Sequence, residues 1–234
     1  MAEEQTGPEK EARSLEWAVR VGQQRSSLRF YRAVHFFIRT VIFRWVRTEI
    51  RGAEHLDLEG PVIVAPVHRS NLDSPLVAGA ARRRMRALGK QSLFVNPIGA
   101  WVCAALGAIP VRRGEADRDA MRSARRILDD GEMMIVFPEG TRQTGDQVAR
   151  VFDGMSYLAS KTGATIVPVG IAGTEKALPS GAKFLHRCRT AVVVGEPIPA
   201  PQGRMSRPAL TAFSETVGTR LQAAFDEAND LIRL

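Results

Sequence analysis

The residue types best suited to chemistry meet in the stretch Val64-Ala65-Pro66-Val67-His68-Arg69-Ser70-Asn71-Leu72-Asp73-Ser74-Pro75. An imidazole can take a proton near neutral pH, and a carboxylate beside it fixes its tautomer and strengthens it as a base. The apolar run Val62-Ile63-Val64-Ala65 reads as a buried strand. Asn71, Asp73 and Ser74 can each cap a helix starting near Ser74-Pro75, because proline suits a first helical turn. The spacing therefore puts His68 at the end of a strand and Asp73 at the mouth of a helix, with a turn able to fold the carboxylate onto the ring. His35, His55 and His186 have no such setting and read as structural or surface residues.

Three later stretches give this His-x4-Asp pair a context. They are Gly107-Ala108-Ile109-Pro110-Val111-Arg112-Arg113, Val136-Phe137-Pro138-Glu139-Gly140-Thr141-Arg142 and Ile166-Val167-Pro168-Val169-Gly170. In this order the four blocks resemble the glycerolipid acyltransferase family, whose best-known members are the 1-acylglycerol-3-phosphate (lysophosphatidic acid) acyltransferases. The likeness runs from about Glu49 to Val194. It implies His68 and Asp73 as catalytic residues, and Arg113, Glu139, Gly140, Thr141 and Arg142 as binders of the acceptor's phosphate and glycerol. It also implies Val167 and Pro168 as residues that position the acyl chain or substrate. The expected reaction moves a long-chain acyl group from acyl-CoA or acyl-carrier protein to 1-acylglycerol-3-phosphate, giving phosphatidic acid, with no cofactor beyond the co-substrate. Glycerol-3-phosphate or another lysophospholipid is the alternative acceptor. Two positions depart from the family's habit: Gln143 stands where Ser is common, and Arg112 where an acidic residue is common.

The residue types suit that reaction. A glycerol hydroxyl is too weak an acid to ionise unaided, so a base must take its proton as the new bond forms. Asp73 would orient His68 and stabilise the imidazolium, and the nucleophile would be the substrate's own hydroxyl. Backbone amides of the 68–73 turn are candidates for holding the oxyanion. Arginine's planar fork matches phosphate oxygens, Gly140 allows close backbone approach, and the Thr141 hydroxyl can add a hydrogen bond. Glu139 would repel phosphate, so its task is to contact a glycerol hydroxyl or hold an arginine. A metal-dependent phosphoesterase using His68, Asp73 and Glu139 is the reading from another class, but a divalent ion would be short of ligands there, with no HxH pattern and no second histidine within reach.

The formal net charge of +8 implies an anionic partner, either nucleic acid or an acidic membrane. Between Ser27 and Arg47, Phe30, Val34, Phe37, Val41 and Trp45 recur at helical spacing, with Phe36 and Phe43 widening the stripe. Arg29, Arg32, Arg39, Arg44 and Arg47 fall mostly opposite. Aromatics on one face and arginines on the other suit a helix lying in a membrane interface, with Arg44 reaching for headgroups. Phe30, Phe37, Val41, Trp45, Arg39 and Arg44 are the expected membrane contacts. Nucleic acid is disfavoured, because these aromatics form a helical stripe rather than a strand surface interleaved with arginines. The run Arg82-Arg83-Arg84-Met85-Arg86 reads as a solvated basic helix end, also suited to anionic headgroups.

No secretory pattern opens the chain and no run of eighteen apolar residues occurs, so a peripheral or monotopic place on the cytoplasmic face of the plasma membrane is expected. Cys103 and Cys188 lack CxxC spacing and read as reduced thiols. Short apolar strands alternating with helices predict an α/β domain over residues 48–234, a largely parallel mixed sheet covered by helices. An N-terminal amphipathic helical pair over residues 1–47 precedes it. Oligomeric state is left open. His68, Arg113, Glu139 and Arg142 all follow predicted strands, the end of a parallel sheet where ligands sit.

Overall fold

The computed structural model describes residues 14–111, 117–201, 203 and 205–233. Arg112 and Arg113 lie outside the described residues. The chain begins with α1 (Leu15–Gly22) and α2 (Arg25–Phe37), continued by a π turn (Ile38–Ile42) into α3 (Phe43–Trp45). There follow β1 (Thr48–Arg51), β2 (Val62–Pro66), α4 (Asp73–Ala80), β3 (Met85–Lys90), α5 (Pro97–Ala105) and β4 (Ala108–Val111). The second half runs α6 (Asp117–Asp129), β5 (Met133–Ile135), α7 (Asp153–Thr162), β6 (Thr165–Ala172), α8 (Thr174–Ala177), β7 (Thr190–Val194) and α9 (Arg207–Arg233).

The strands form one seven-stranded sheet in the order β1-β7-β6-β2-β5-β3-β4. Every pairing is parallel except β6 with β7. Parallel strands joined through helices are covered on both faces, which is why β2 is apolar and buried at each position. Val62, Val64, Ile135, Val167 and Val169 share one core with Leu72, Leu76, Leu221 and Phe225. Ile63, Ala65, Met134 and Ile166 point the other way, among Leu128, Leu158 and Val217. This two-residue alternation gives each strand two buried faces. The terminal helix α9 lies so close to β6 that a Cβ on Gly170 would run into the Ala224 carbonyl, so glycine is required there.

The basic run is where the sequence misleads most. Helix α4 stops at Ala80, and Met85 and Arg86 already belong to β3, a strand that the sequence pattern did not predict. Only Arg82 is solvated, paired with Asp57. Arg83 donates to the carbonyls of Leu58, Gly60 and Gly131. Arg84 donates to Gly22, Ala104 and Ala105, closing the carboxyl ends of α1 and α5. Burial and the neighbouring Arg86 push the Arg84 guanidinium down to about 10. Arg86 is buried and pairs with Glu132. These arginines cap and brace the fold; they are not a headgroup patch.

The expected aromatic helix forms, but one of its assigned contacts turns inward and another, still exposed, is tethered to the domain. Phe30 lies against Trp101, ring centroids 5.2 Å apart, and Arg39 donates to the Gly79 carbonyl at 2.9 Å. Phe43 packs on the main core rather than widening an outer stripe. Phe36, Phe37, Val41, Trp45 and Arg44 are exposed. The π turn coincides with Thr40, whose hydroxyl donates to the Phe36 carbonyl and so competes with the helical ladder. Ala18 and Val21 of α1 share a small core with Phe94, Ala100 and Ala104. No helix among the described residues is long and apolar enough to cross a membrane.

Candidate active site

Strand β2 has β5 on one side and β6 on the other, and all three run the same way. Their carboxyl ends deliver His68, the 137–142 turn and Thr174 to one place. The ladder reaches the His68 turn itself, since Val67 N–H donates to the Val169 carbonyl at 3.1 Å. His68 Nδ1 then meets Asp73 Oδ2 at 2.9 Å. Asp73 is fully buried while the His68 side chain is 18% exposed, so the pair has a dry back and an open front. Nε2 of His68 has no protein partner among the described residues. The Phe137 ring stacks on the imidazole with centroids 3.8 Å apart and fixes its plane.

Asp73 is held by more than the histidine. Oδ2 also accepts the backbone N–H groups of Arg69 and Ser70, each at 2.7 Å, and Oδ1 accepts the Thr174 hydroxyl at 2.6 Å. Three donors besides the ring hold the carboxylate in place in a buried setting. Sequence reasoning missed Thr174, which lies far along the chain; only the pairing of β6 with β2 brings it in. The same bonds correct the expectation for the oxyanion. His68 N–H donates to Glu139, Arg69 and Ser70 N–H to Asp73, and Leu72 N–H to the Ser70 hydroxyl. Asn71 N–H alone in that stretch of the turn has no acceptor among the described residues.

Glu139 is buried, and its oxygens face the protein. They accept from His68 N–H at 3.0 Å, from Ala149 N–H at 2.9 Å and from Arg69 Nη1 at 2.8 and 3.1 Å. Of the two tasks expected of Glu139, this is the holding of an arginine, and the arginine is Arg69. Arg69 also donates to the carbonyls of Gly145 and Gln147 and lies over the Phe225 ring at 4.8 Å. The buried pair thus binds the His68–Asp73 turn to the 139–149 loop and to α9. With Arg69 and backbone donors on them, the Glu139 oxygens make poor metal ligands.

The loop after β5 curls back to His68, with Gln143 N–H donating to the His68 carbonyl at 2.8 Å. Gly140 has φ +73°, a left-handed conformation, and Phe152 lies beneath it. Thr141 Oγ1 accepts from Gln143 Nε2 at 3.1 Å. Arg142 is exposed, and its guanidinium has no partner among the described residues. Val167 and Pro168 are buried within β6, opposite Val64 and Ala65 of β2. They therefore face no acyl chain in the open; what they position is the strand that carries His68. His35 and His55 are tied to the carbonyls of Ala81 and Val194. An apolar cleft of about 780 Å³ opens beside Phe137 and Gly140, reaching Leu88, Met121, Val136 and Leu158, with Arg150 and Arg207 also lining it. Another groove of about 760 Å³, between residues 148–153 and α9, is lined by none of His68, Asp73, Glu139 and Arg142.

A histidine–carboxylate pair of this kind, on this sheet, defines a class. The Acyltransferase family model matches residues 47–172, more than half of the chain, and the chain belongs to that family. Among its relatives is the chloroplast 1-acyl-sn-glycerol-3-phosphate acyltransferase BAT2 of Brassica napus, 27% identical over 179 residues, covering 73% of this chain and 52% of that protein. The human 1-acyl-sn-glycerol-3-phosphate acyltransferase alpha is 26% identical over 183 residues, covering 73% of this chain and 65% of that one. The crystal structure of the 1-acyl-sn-glycerophosphate (LPA) acyltransferase PlsC from Thermotoga maritima superposes with a TM-score of 0.69 at 25% identity, over 90% of this chain and 88% of that one. The chain spans about half the length of the plant relatives it matches.

Proposed function

We propose that this chain transfers an acyl group from an acyl thioester, acyl-CoA or acyl-carrier protein, to the free hydroxyl of 1-acylglycerol-3-phosphate, giving phosphatidic acid. The observation that carries this reading is the 2.9 Å His68–Asp73 contact with Nε2 left open, beside a loop that presents an unpartnered Arg142. The names of the relatives support the choice of acceptor.

In the forward step His68 Nε2 takes the hydroxyl proton while the hydroxyl oxygen bonds to the thioester carbon. Negative charge moves to the former carbonyl oxygen, for which Asn71 N–H is a free donor. Asp73, ionised and fully bonded, stabilises the imidazolium without accepting its proton. The tetrahedral centre collapses, the carbon–sulfur bond breaks, and His68 returns its proton to the departing thiolate. Arg142, with Arg113, binds the acceptor phosphate, where a guanidinium unencumbered by protein partners loses little on meeting it. The apolar cleft beside Phe137 suits an acyl chain in size and lining. Exposed Phe36, Phe37, Val41 and Trp45, with Arg44, support a peripheral seat on the cytoplasmic face of an anionic membrane.

The test is an acceptor screen with one labelled long-chain acyl-CoA. Label should enter phosphatidic acid with 1-acylglycerol-3-phosphate as acceptor and should not with His68→Ala. Absence of transfer to any lysophospholipid or to glycerol-3-phosphate would overturn the reading.

A further inference from the structure

The most exposed large apolar side chain among the described residues is not on the N-terminal helix. It is Phe184, 81% exposed, in the loop between α8 and β7. That loop is not loose. His186 N–H donates to the Ala177 carbonyl at 2.8 Å and Ala182 N–H to Pro179 at 3.0 Å. Leu178, Leu185 and Cys188 pack against the main core. A loop pinned on both sides of Phe184 holds the ring out in water, where burying it against an apolar phase is favourable.

Its neighbours say which phase. Lys183, His186, Arg187 and Arg189 are all exposed, and residues 183–189 contain no acidic side chain. Arg189 has Glu49 at 3.7 Å; Lys183 and Arg187 have no ion-pair partner among the described residues. An aromatic tip collared by unpaired cations complements an anionic lipid surface, with the ring below the headgroups and the cations among them. The loop also touches both parts of the molecule that such a surface concerns. The Leu185 carbonyl accepts from Trp45 Nε1 at 3.3 Å, next to the exposed Phe37–Val41–Trp45 stripe. The Leu178 carbonyl accepts from the Ser70 hydroxyl at 2.9 Å, inside the catalytic turn.

We propose that residues 179–189 form a second membrane contact, in which Phe184 inserts into an anionic bilayer while Lys183 and Arg187 engage its headgroups. Together with the Trp45 helix, to which it is bonded, it makes two adjoining anchors, which fix how the His68 turn faces the lipid where one anchor would leave the domain free to swivel. The proposal rests on the membrane reading given above and adds to it a contact and an orientation.

The experiment uses the full chain and sedimentation with vesicles of phosphatidylcholine alone or mixed with phosphatidylglycerol. Phe184→Ser should weaken binding to mixed vesicles roughly tenfold. Lys183→Gln with Arg187→Gln should weaken it on mixed vesicles and leave the weak binding to pure phosphatidylcholine unchanged. Both variants should keep the wild-type melting temperature and wild-type turnover on short-chain, water-soluble substrates. Undiminished binding by Phe184→Ser, while Phe37→Asp releases the protein, would overturn the loop's role and leave the helix as the contact. Failure of the wild type to bind either vesicle would overturn the membrane reading itself. A wild type that self-associates, with Phe184→Ser monomeric yet still vesicle-bound, would assign the ring to a second copy of the chain and overturn the proposal.

Discussion

The two loops that meet at His68 are built on opposite plans. In the turn from His68 to Asp73 nearly every polar group has a protein partner, and both carboxylates behind it, Asp73 and Glu139, are buried and multiply bonded. In the turn that follows Glu139, the next charged group, Arg142, stands in solvent with no partner among the described residues. A base that must point at one proton gains from a frame that cannot move. A guanidinium that must catch a phosphate gains from having no bond to break first. One side of the site is therefore set for geometry and the other for capture.

Substitutions on the framed side should change turnover and folding together, and the largest effect is expected at Asp73. Asp73→Asn keeps the shape but presents the wrong tautomer partner to His68, and turnover should fall by about a hundredfold to ten-thousandfold, no further than in His68→Ala, read by steady-state kinetics at saturating acceptor. Glu139→Ala strands the Arg69 charge in the interior and should lower unfolding free energy by about 3–5 kcal/mol in a denaturant titration. A variant that stays as stable as the wild type but binds acceptor poorly would return Glu139 to the capture side. On that side Arg142→Ala should raise the acceptor Michaelis constant about ten- to a hundredfold, the loss of a charge-assisted hydrogen bond. Its stability should stay within about 0.5 kcal/mol of wild type, because the side chain is exposed. The smallest effect belongs to Thr174→Val, which removes one of several donors to Asp73: turnover should drop about tenfold with the Michaelis constants unchanged. Thr174→Ser should restore it; failure of that rescue would reduce Thr174 to a packing residue.

The same contrast explains what could be seen in the sequence. Strand β2 stands where the apolar run Val62–Ala65 puts it, and the sheet is largely parallel and mixed as the alternation of strands and helices predicts, with one antiparallel pairing between β6 and β7. His68 and Asp73 were legible because both partners of the bond lie in one turn. Thr174 and the Arg69–Glu139 pair were not, since local spacing cannot show which way a carboxylate in a turn points or what a parallel neighbour brings alongside. Strand β3 was missed because Arg86 places a charge in a buried strand, which only the Glu132 partner makes tolerable. The arginines before it read as a solvated patch for a related reason: a guanidinium with five donors can be buried if carbonyls at helix ends receive it. Phe30 sat on the right helix but on its protein side, a distinction that helical spacing leaves open once the helix contains a π turn.

The central claim is that His68 Nε2 takes the acceptor's proton. Single-turnover transfer from labelled acyl-CoA to saturating 1-acylglycerol-3-phosphate by His68→Ala, run beside equilibrium binding of the acceptor, tests it most directly. The expected result is a loss of roughly 10²–10⁴ in the chemical step with acceptor affinity unchanged. A wild-type chemical step in that variant, or a loss traced wholly to weaker acceptor binding, would contradict it.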